Sequence, residues 1–203
     1  MTGSKDKISL AALKIFLQKG YDATSISDVV AECKITKGGI YHHFKNKEEL
    51  FIDAIDYLFE RFEELERSMY SESTNFKQVL QAYFGSLSSI SEVLGAMTGS
   101  ENIDVNNFYM LMTNAFMKFP QIRKKHGKLH LKNQGILVEL IKKAQQERQI
   151  KDDIDCETMA FMINALAEGT MIYHIMTDGI DLKEKGEKIF QNLWKSISTE
   201  NEE

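Results

Sequence analysis

The sequence predicts an all-α protein, and three observations lead to this prediction. The 203 residues include a single proline, no run of alternating β-branched residues is present, and apolar residues recur at helical spacing in most segments. The composition, 43% hydrophobic and 27% charged, is that of an ordinary globular protein with enough chain for a buried core. We expect about nine helices.

The first two helices have clear start and stop signals. Apolar residues at helical spacing predict a helix near residues 5–19, which ends at Gly20. Ser25 followed three residues later by Asp28 resembles a capping box and predicts the start of the second helix. Only residues 34–36 separate that helix from a third, so the sequence indicates a tight helix-turn-helix segment.

The third helix is predicted over residues 37–43, and the fourth begins at Asn46 with Glu49 as its capping partner. The apolar stripe of the fourth helix continues from Leu50 to Leu65, so this helix connects the N-terminal segment to the rest of the chain. We place the domain border beside it, with one domain over residues 1–50 and a second over 51–203. Proline, glycine and charged turns separate the later helices, which are predicted at 75–94, 105–119, 121–148, 155–177 and 182–198.

No feature of the sequence indicates export or a membrane. No apolar stretch follows a basic start, and the longest uncharged apolar run, 105–117, is too short to span a bilayer. Cys33 and Cys156 are isolated and are expected to be reduced core residues. We expect a cytoplasmic protein.

Charge is divided unevenly between the two predicted domains. Residues 1–50 carry 8 Lys against 6 Asp and Glu, a net charge of +2, and the remainder carries −7, which together give −5. A basic N-terminal domain on an acidic body is the asymmetry expected of a small nucleic-acid-binding domain attached to a larger domain with another role.

Two lysines lie at helix N-termini, where the helix dipole favours acidic residues instead. Lys37 follows the expected N-cap Thr36, and Lys47 follows Asn46. A helix N-terminus with a lysine binds anions, and two such sites separated by a short helix suit a phosphate backbone.

The third helix cannot be stable alone, because it is short and contains two glycines that each cost about 1 kcal/mol relative to alanine. Ile40 and Phe44, at i and i+4, are expected to hold it against the first two helices. The surface that remains consists of small residues, hydrogen-bond donors and aromatic rings, namely Lys37, Gly38, Tyr41, His42 and His43. Such a surface fits the major groove of DNA.

Residues 8–50 resemble the DNA-binding domain of the tetracycline-repressor (TetR) family of bacterial regulators. The similar pieces are Ile8, Ala11-Ala12, Phe16, Gly20-Tyr21, Thr24-Ser25, Val29–Ala31, Ile35–Gly38, Ile40–Phe44 and Lys47–Leu50. The resemblance covers about a quarter of the chain and implies an N-terminal three-helix helix-turn-helix DNA-binding domain, a C-terminal helical ligand-binding and dimerisation domain, and homodimeric operator binding. It further implies that phosphate groups are contacted by Thr24, Ser25, Lys37, Tyr41, His43 and Lys47. Base edges would be contacted by Lys37, Gly38, Gly39 and His42. Thr36 would belong to the same DNA-binding surface.

Two positions depart from the family pattern. The family commonly has glycine where this chain has Lys34, so Lys34 is expected either to be left-handed, at a cost of roughly 1 kcal/mol, or to turn differently. Gly39 replaces a larger side chain of the family, so specificity is expected to depend more on DNA shape.

The last two helices are expected to pack against the core and against a second copy of the chain. The helix at 155–177 is apolar nearly all round, which requires cover on both sides. The helix at 182–198 carries a broad apolar stripe. The alternative is that both are central helices of a monomer. The expected dimer contacts are Ile172, Ile189, Phe190, Leu193 and Trp194.

Ten Met and nineteen Phe and Tyr residues indicate an adaptable apolar interior suited to a small-molecule effector. Ordinary core packing is the competing interpretation for each of them. Glu168, a single carboxylate on an apolar helix, would favour a cationic effector if it is buried. The candidate pocket residues are Tyr83, Phe84, Phe108, Met112, Phe116, Phe161, Glu168 and Tyr173.

Enzyme functions find no support in the sequence, because it has no nucleophile elbow, phosphate-binding glycine loop or zinc-spaced cysteines. His126 and His130, at i and i+4, are a possible metal pair, but neighbouring lysines would repel a cation and no third ligand follows. We expect no cofactor and no metal. The sequence therefore predicts a ligand-responsive transcriptional repressor that binds double-stranded operator DNA, and the alternative is a helical protein-interaction module that does not bind DNA.

Overall fold

A computed structural model describes residues 3–69, 75–100 and 103–199. These residues form ten α-helices and one 3₁₀ helix, with a single isolated antiparallel bridge between Ile150 and Ser198 and no strand. The all-α prediction is confirmed. The helices are α1 (Ser4–Ala23), α2 (Ile26–Cys33), α3 (Lys37–His43), α4 (Lys47–Met69), α5 (Phe76–Gly85), α6 (Ile90–Thr98), α7 (Val105–Lys118), α8 (Pro120–Gln146), α9 (Cys156–Met176) and α10 (Leu182–Ile197), with the 3₁₀ helix at Ser86–Ser89.

The prediction of one continuous helix over residues 75–94 is wrong. The 3₁₀ helix divides this segment into α5 and α6. Serine hydroxyls explain the break, since they compete with the backbone for helical carbonyls. Ser86 Oγ donates to Tyr83 O at 2.7 Å, and Ser88 Oγ donates to Gly85 O at 3.1 Å. None of the helices in the described ranges is both long and apolar enough to cross a bilayer.

The chain divides into two compact units, which we call unit 1 (Met1–Leu65 and Ser91–His126) and unit 2 (Glu66–Ile90 and Gly127–Glu203). Unit 1 contains α1 to α3 and also α7, which packs on α1. The predicted domain border at residue 50 stays a prediction.

Aromatic rings form the centre of unit 1. Phe16 and Phe51 are fully buried and meet edge to face at 4.8 Å between ring centroids. Tyr21 packs on Phe51 at 4.7 Å, and Phe119, at the end of α7, packs on both Tyr21 and Phe51 at 5.0 and 5.1 Å. This cluster joins α1, α4 and the α7–α8 corner. We call it the Tyr21 cluster, consisting of Phe16, Tyr21, Phe51 and Phe119.

Unit 2 is built around α5, α9 and α10. α10 packs on α5, with the Phe76 and Trp194 rings 6.4 Å apart, and the Tyr83 hydroxyl of α5 donates to Asn164 Oδ1 of α9 at 2.8 Å. The loop after α8 is fixed to the end of α10, since Lys151 N donates to Ile197 O at 2.9 Å and Thr199 N donates to Gln149 O at 3.2 Å. These contacts account for the isolated bridge.

The predicted helix starts and stops in the N-terminal segment are confirmed. The backbone turns out of helical conformation at Gly20, with φ 75°. Ser25 Oγ accepts from Asp28 N at 3.2 Å while Asp28 Oδ2 accepts from Ser25 N at 2.8 Å, which is the reciprocal pattern of a capping box. Lys34 is left-handed, with φ 54° and ψ 33°, so the first of its two expected conformations is the one found.

The strain at Lys34 gives a stability prediction. Lys34→Gly should stabilise the protein by at most about 1 kcal/mol, because glycine adopts the left-handed region freely, although the more flexible unfolded chain offsets part of the gain. A rise of roughly 1–3 °C in the midpoint of thermal unfolding is expected for a chain of this length. Lys34→Ala is the control, since alanine keeps the strain. Equal midpoints for the two variants would contradict the role given to the backbone conformation.

Candidate nucleic-acid interface

The third helix presents the surface that the sequence predicted. Ile40 and Phe44 are buried at 0% and 2% exposure, so they hold α3 against the rest of unit 1. Thr36 Oγ1 caps the helix by accepting from Gly39 N at 3.1 Å. The side facing solvent contains Thr36, Lys37, Gly38, Tyr41 and His42, which are exposed, and Gly39 and His43, which are half-buried.

Four of these side chains form a cationic and aromatic strip on α3. The Lys37 ammonium lies 6.0 Å from the centroid of the Tyr41 ring, and the rings of His42 and His43 meet edge to face at 5.1 Å. No ion pair to Lys37 occurs among the described residues. Its charge is therefore available to a phosphate group.

The two glycines of α3 have different structural roles. A Cβ atom at Gly39 would lie 2.6 Å from Ile35 Cγ2, so a side chain there would force Ile35 to move. A Cβ atom at Gly38 would have only Thr36 Oγ1 within 4 Å, at 4.0 Å. The position of Ile35 thus disfavours a side chain at Gly39, whereas the fold leaves the space above Gly38 open.

This difference predicts opposite effects of two alanine substitutions. Gly38→Ala should raise stability by up to about 1 kcal/mol through helix propensity and weaken duplex binding several-fold, because the methyl group lies where a groove edge must approach. Gly39→Ala should lower stability. Thermal unfolding and fluorescence anisotropy with a labelled duplex measure the two effects. If Gly38→Ala leaves DNA affinity unchanged, the surface above Gly38 does not contact DNA.

Thr24 and Ser25 are placed by the start of α2. Thr24 is buried at 2% exposure, and its hydroxyl donates to Gly20 O at 2.7 Å, so it fixes the turn between α1 and α2 in this structure. Ser25 is exposed and serves as the N-cap of α2. The phosphate contacts predicted for both residues stay predictions.

Lys47 makes contacts within unit 1 that the sequence did not predict. Its ammonium donates to Tyr21 O and Thr24 O, both at 2.9 Å, and to Asp22 O at 3.4 Å. It also lies 4.4 Å from the centroid of the Tyr21 ring. Lys47 therefore fastens the start of α4 to the end of α1, and its predicted phosphate contact stays a prediction.

Alanine substitution at the two lysines separates DNA contact from structural support. Lys37→Ala should weaken duplex binding and reduce the slope of log K against log salt by about one unit, with unchanged stability. Lys47→Ala should lower stability by about 1–2 kcal/mol because charge-assisted hydrogen bonds are lost, and it should also weaken specific and random duplexes about equally.

Anisotropy titrations at several salt concentrations, with thermal unfolding in parallel, measure both effects. An unchanged salt slope for Lys37→Ala would contradict its phosphate contact. A Lys47→Ala variant that is destabilised but binds DNA with unchanged affinity would limit Lys47 to its structural role.

The candidate pocket residues are divided between the two units. In unit 1, Phe108 and Met112 are buried at 8% and 6% exposure, and Phe116 packs on Phe59 of α4 at 6.1 Å. In unit 2, Phe84 is fully buried, whereas Phe161 and Tyr173 are exposed at 63% and 69%. Tyr83 is half-buried and Glu168 is exposed. The ligand roles of all eight residues stay predictions.

The expected dimer residues likewise separate into two sets. Phe190, Leu193 and Trp194 of α10 are each 8% exposed and belong to the core of unit 2, and Ile189 is half-buried. Ile172 of α9 is 44% exposed. The structure thus gives three of these side chains an intrachain role, and their predicted dimer contacts stay untested.

The sequence did not indicate the contacts of the α7–α8 corner. Lys118 forms an ion pair with Asp22, and Gln121 Nε2 donates to Glu48 Oε1 at 3.2 Å. His126 pairs with a carboxylate, because its Nε2 lies 2.9 Å from Asp56 Oδ1 and its ring stacks on Phe59 at 3.7 Å. In the described ranges, no three His, Cys, Asp or Glu side chains are grouped to hold a metal ion.

Asp56 receives a second partner in Lys125, at 2.7 Å. Desolvation raises the pKa of Asp56, but the hydrogen bonds from His126 and Lys125 outweigh it and lower the pKa below its ordinary value. This carboxylate therefore stays ionised and ties α4 to the start of α8.

Comparison with known proteins identifies relatives of the N-terminal segment. Residues 8–54 match the sequence profile described as "Bacterial regulatory proteins, tetR family". The regulator QacR of Staphylococcus aureus is 37% identical over 75 residues, which is 37% of this chain and 36% of QacR. The matched segments span about a fifth to two fifths of the length of the first five curated relatives, which are 36% to 41% identical to the chain over those segments.

Solved structures match over nearly the whole chain. A transcriptional regulator of the TetR family from Cytophaga hutchinsonii is 25% identical, with a TM-score of 0.77 and 99% of each chain covered. A transcriptional regulator from Saccharomonospora viridis, crystallised in complex with choline, is 14% identical, with a TM-score of 0.80 and coverage of 97% and 98%. The similarity to the Saccharomonospora viridis protein shows a shared fold and nothing more.

Proposed function

We propose that this chain, which belongs to the TetR family of bacterial regulatory proteins, is a transcriptional repressor that binds operator DNA as a homodimer and is released by a small-molecule effector. The observation that carries the proposal is the exposed surface of α3, where Lys37, Gly38, Tyr41 and His42 face solvent in the segment that matches the family. A cytoplasmic location, where operator DNA is accessible, belongs to the same proposal.

Fluorescence anisotropy with a labelled random duplex at several salt concentrations tests DNA binding. The proposal expects saturable binding whose log K falls linearly with log salt, because phosphate contacts release counterions. Lys37→Ala is the matched variant that keeps the fold. The alternative, a helical interaction module, expects no binding at low salt for either protein.

The exposed apolar face of α9 supports the homodimer. Met159, Ile163, Ala167 and Met171 face the core of unit 2, so the opposite side of the helix is left uncovered. That side carries large apolar residues with 39% to 78% exposure, namely Phe161, Met162, Leu166, Ile172, Tyr173 and Met176. A continuous apolar surface of this kind favours association with a second copy.

Small residues lie at the middle of this face. Ala165 and Gly169 are one helical turn apart, and a Cβ atom at Gly169 would have nothing within 4 Å. Two copies of α9 can therefore approach closely there, with the larger apolar side chains around the crossing point. The single chain leaves the space above Gly169 open.

This arrangement predicts that Gly169→Arg abolishes the dimer without unfolding the chain. Wild type should sediment near twice 23.3 kDa at micromolar concentration, whereas the variant should sediment near 23.3 kDa. Gly127→Arg on α8 is the matched control, because a Cβ atom there also meets nothing within 4 Å. A dimeric Gly169→Arg protein would place the dimer contact elsewhere.

Effector and operator binding are coupled in this proposal. An effector releases DNA only to the extent that it binds the DNA-free conformation more tightly, typically by 1–3 kcal/mol, and operator DNA must weaken effector binding by the same factor. The Met and aromatic content favours an apolar or amphipathic compound. Choline in the Saccharomonospora viridis protein supports only the general point that this fold can hold a small molecule.

A further inference from the structure

The segment that contains α7 and the first half of α8 is basic, although the part of the chain around it is acidic. Residues 105–138 include six Lys and Arg residues and no Asp or Glu, whereas residues 51–203 as a whole carry a net charge of −7. Lys124, Lys128 and Lys132 follow one another at intervals of four residues. Like charges at this spacing destabilise a helix, so the stability of α8 does not explain them, and a binding role is the explanation to test.

Three cations of this segment are accessible in unit 1. Arg123 and Lys124, near the start of α8, are exposed, and neither forms an ion pair with a residue of the described ranges. Lys118, at the end of α7, pairs with Asp22, and the two side chains are 43% and 75% exposed. Such exposed pairs contribute little to stability. An anionic partner can therefore compete with Asp22 for Lys118.

These cations lie beside the start of α4, where a phosphate contact is predicted for Lys47. The ammonium groups of Lys118 and Lys47 lie 6.0 and 4.4 Å from the centroid of the same Tyr21 ring. Gln121, in the first turn of α8, donates to Glu48, the residue after Lys47, at 3.2 Å. Successive phosphates of one DNA strand are about 3.4 Å apart along the helix axis. Two ammonium groups on one ring are thus close enough to contact phosphates of the same strand.

We propose that Lys118, Arg123 and Lys124 form a second phosphate-binding surface, which contacts the DNA that flanks each half of the site bound by the dimer. We call this surface the basic corner. It is continuous with the start of α4, and its charge is complementary to a phosphate backbone. The inference rests on the proposed function, because it extends the DNA contact of the same protein beyond the helix-turn-helix segment.

The three cations change partners differently when DNA binds. Arg123 and Lys124 gain a phosphate where the free protein offers them no carboxylate in the described ranges. Lys118 exchanges Asp22 for a phosphate oxygen. In the free protein the hydrogen bond from Lys118 is the main cause that lowers the pKa of Asp22, so this carboxylate is ionised and repels a phosphate once its partner is lost. The two kinds of contact therefore need separate tests.

Fluorescence anisotropy of the full-length protein tests Arg123 and Lys124, with a labelled random duplex of about 30 base pairs, which is long enough for two half-sites and their flanks. A random sequence suffices because phosphate contacts carry no sequence information. The double variant Arg123→Gln and Lys124→Gln should bind several-fold more weakly than wild type. The slope of log K against log salt should fall by about one unit for each contact that is lost.

A second pair of exposed lysines provides the matched control. Lys183→Gln combined with Lys185→Gln, on the first turn of α10 in unit 2, makes the same change in net charge. This control should keep the wild-type salt slope. Thermal unfolding of both double variants should match wild type, since all four side chains are exposed.

Lys118 is tested in two backgrounds. Lys118→Gln should weaken binding and lower the salt slope in the wild-type protein and also in the Asp22→Asn variant, where no carboxylate is left unpaired. If Lys118 only neutralises Asp22, its substitution has no effect in the Asp22→Asn background, and its place in the basic corner is overturned.

The proposal as a whole is overturned if wild type and the Arg123→Gln, Lys124→Gln variant have equal salt slopes. It is also overturned if the α10 control lowers the slope as much, because net charge alone would then explain the effect. Weaker binding by Lys37→Ala with unchanged binding by the corner variant would keep the proposed function and contradict this inference. Absence of duplex binding by wild type would contradict both.

Discussion

The packing of the Tyr21 ring holds together the parts of unit 1 that carry the proposed DNA-binding surface. Tyr21 contacts Phe51 of α4 and Phe119 at the α7–α8 corner, and the ammonium groups of Lys47 and Lys118 lie 4.4 and 6.0 Å from its ring centroid. Desolvation, together with Glu48 and Asp22, raises the pKa of the Tyr21 hydroxyl, so the ring stays uncharged over the physiological range. A neutral electron-rich ring close to ammonium groups is a stable arrangement.

The DNA contact that we propose for the short α3 helix depends on support from the rest of unit 1. Seven residues with two glycines do not form a stable helix alone. The buried side chains of Ile40 and Phe44 and the Thr36 cap supply the missing stability from outside the helix. Lys37 and Gly38 are therefore left exposed, and they are the positions at which we propose that DNA binds.

Local patterns predicted the N-terminal segment because its signals lie within a few residues of each other. The Ser25–Asp28 capping box, the stop at Gly20 and the buried pair Ile40 and Phe44 all depend on neighbours at most four residues apart. The contacts of the α7–α8 corner were not predictable in this way. Lys118 and Asp22 are 96 residues apart, and no single-sequence pattern links them.

The spacing of apolar residues could not predict which sides of the apolar helices of unit 2 are buried within the chain. α9 is apolar nearly all round, so its sequence alone could not distinguish the buried side with Ile163 and Met171 from the exposed side with Phe161 and Tyr173. For α10 the stripe was recognised, but the structure shows that Phe190 and Trp194 face the core of their own unit. Apolar residues at helical spacing predict that a helix face is buried. They do not indicate whether the same chain or a second copy buries it.

Selection of bound fragments from a pool of random duplexes tests the central claim most directly. A homodimer that uses α3 to contact DNA should enrich an inverted repeat whose half-sites are centred about one helical turn apart, roughly 34 Å, or a multiple of that distance. Fragments selected by wild type should bind Lys37→Ala more weakly. Enrichment of no sequence, or of a single half-site without its inverted copy, would contradict the account.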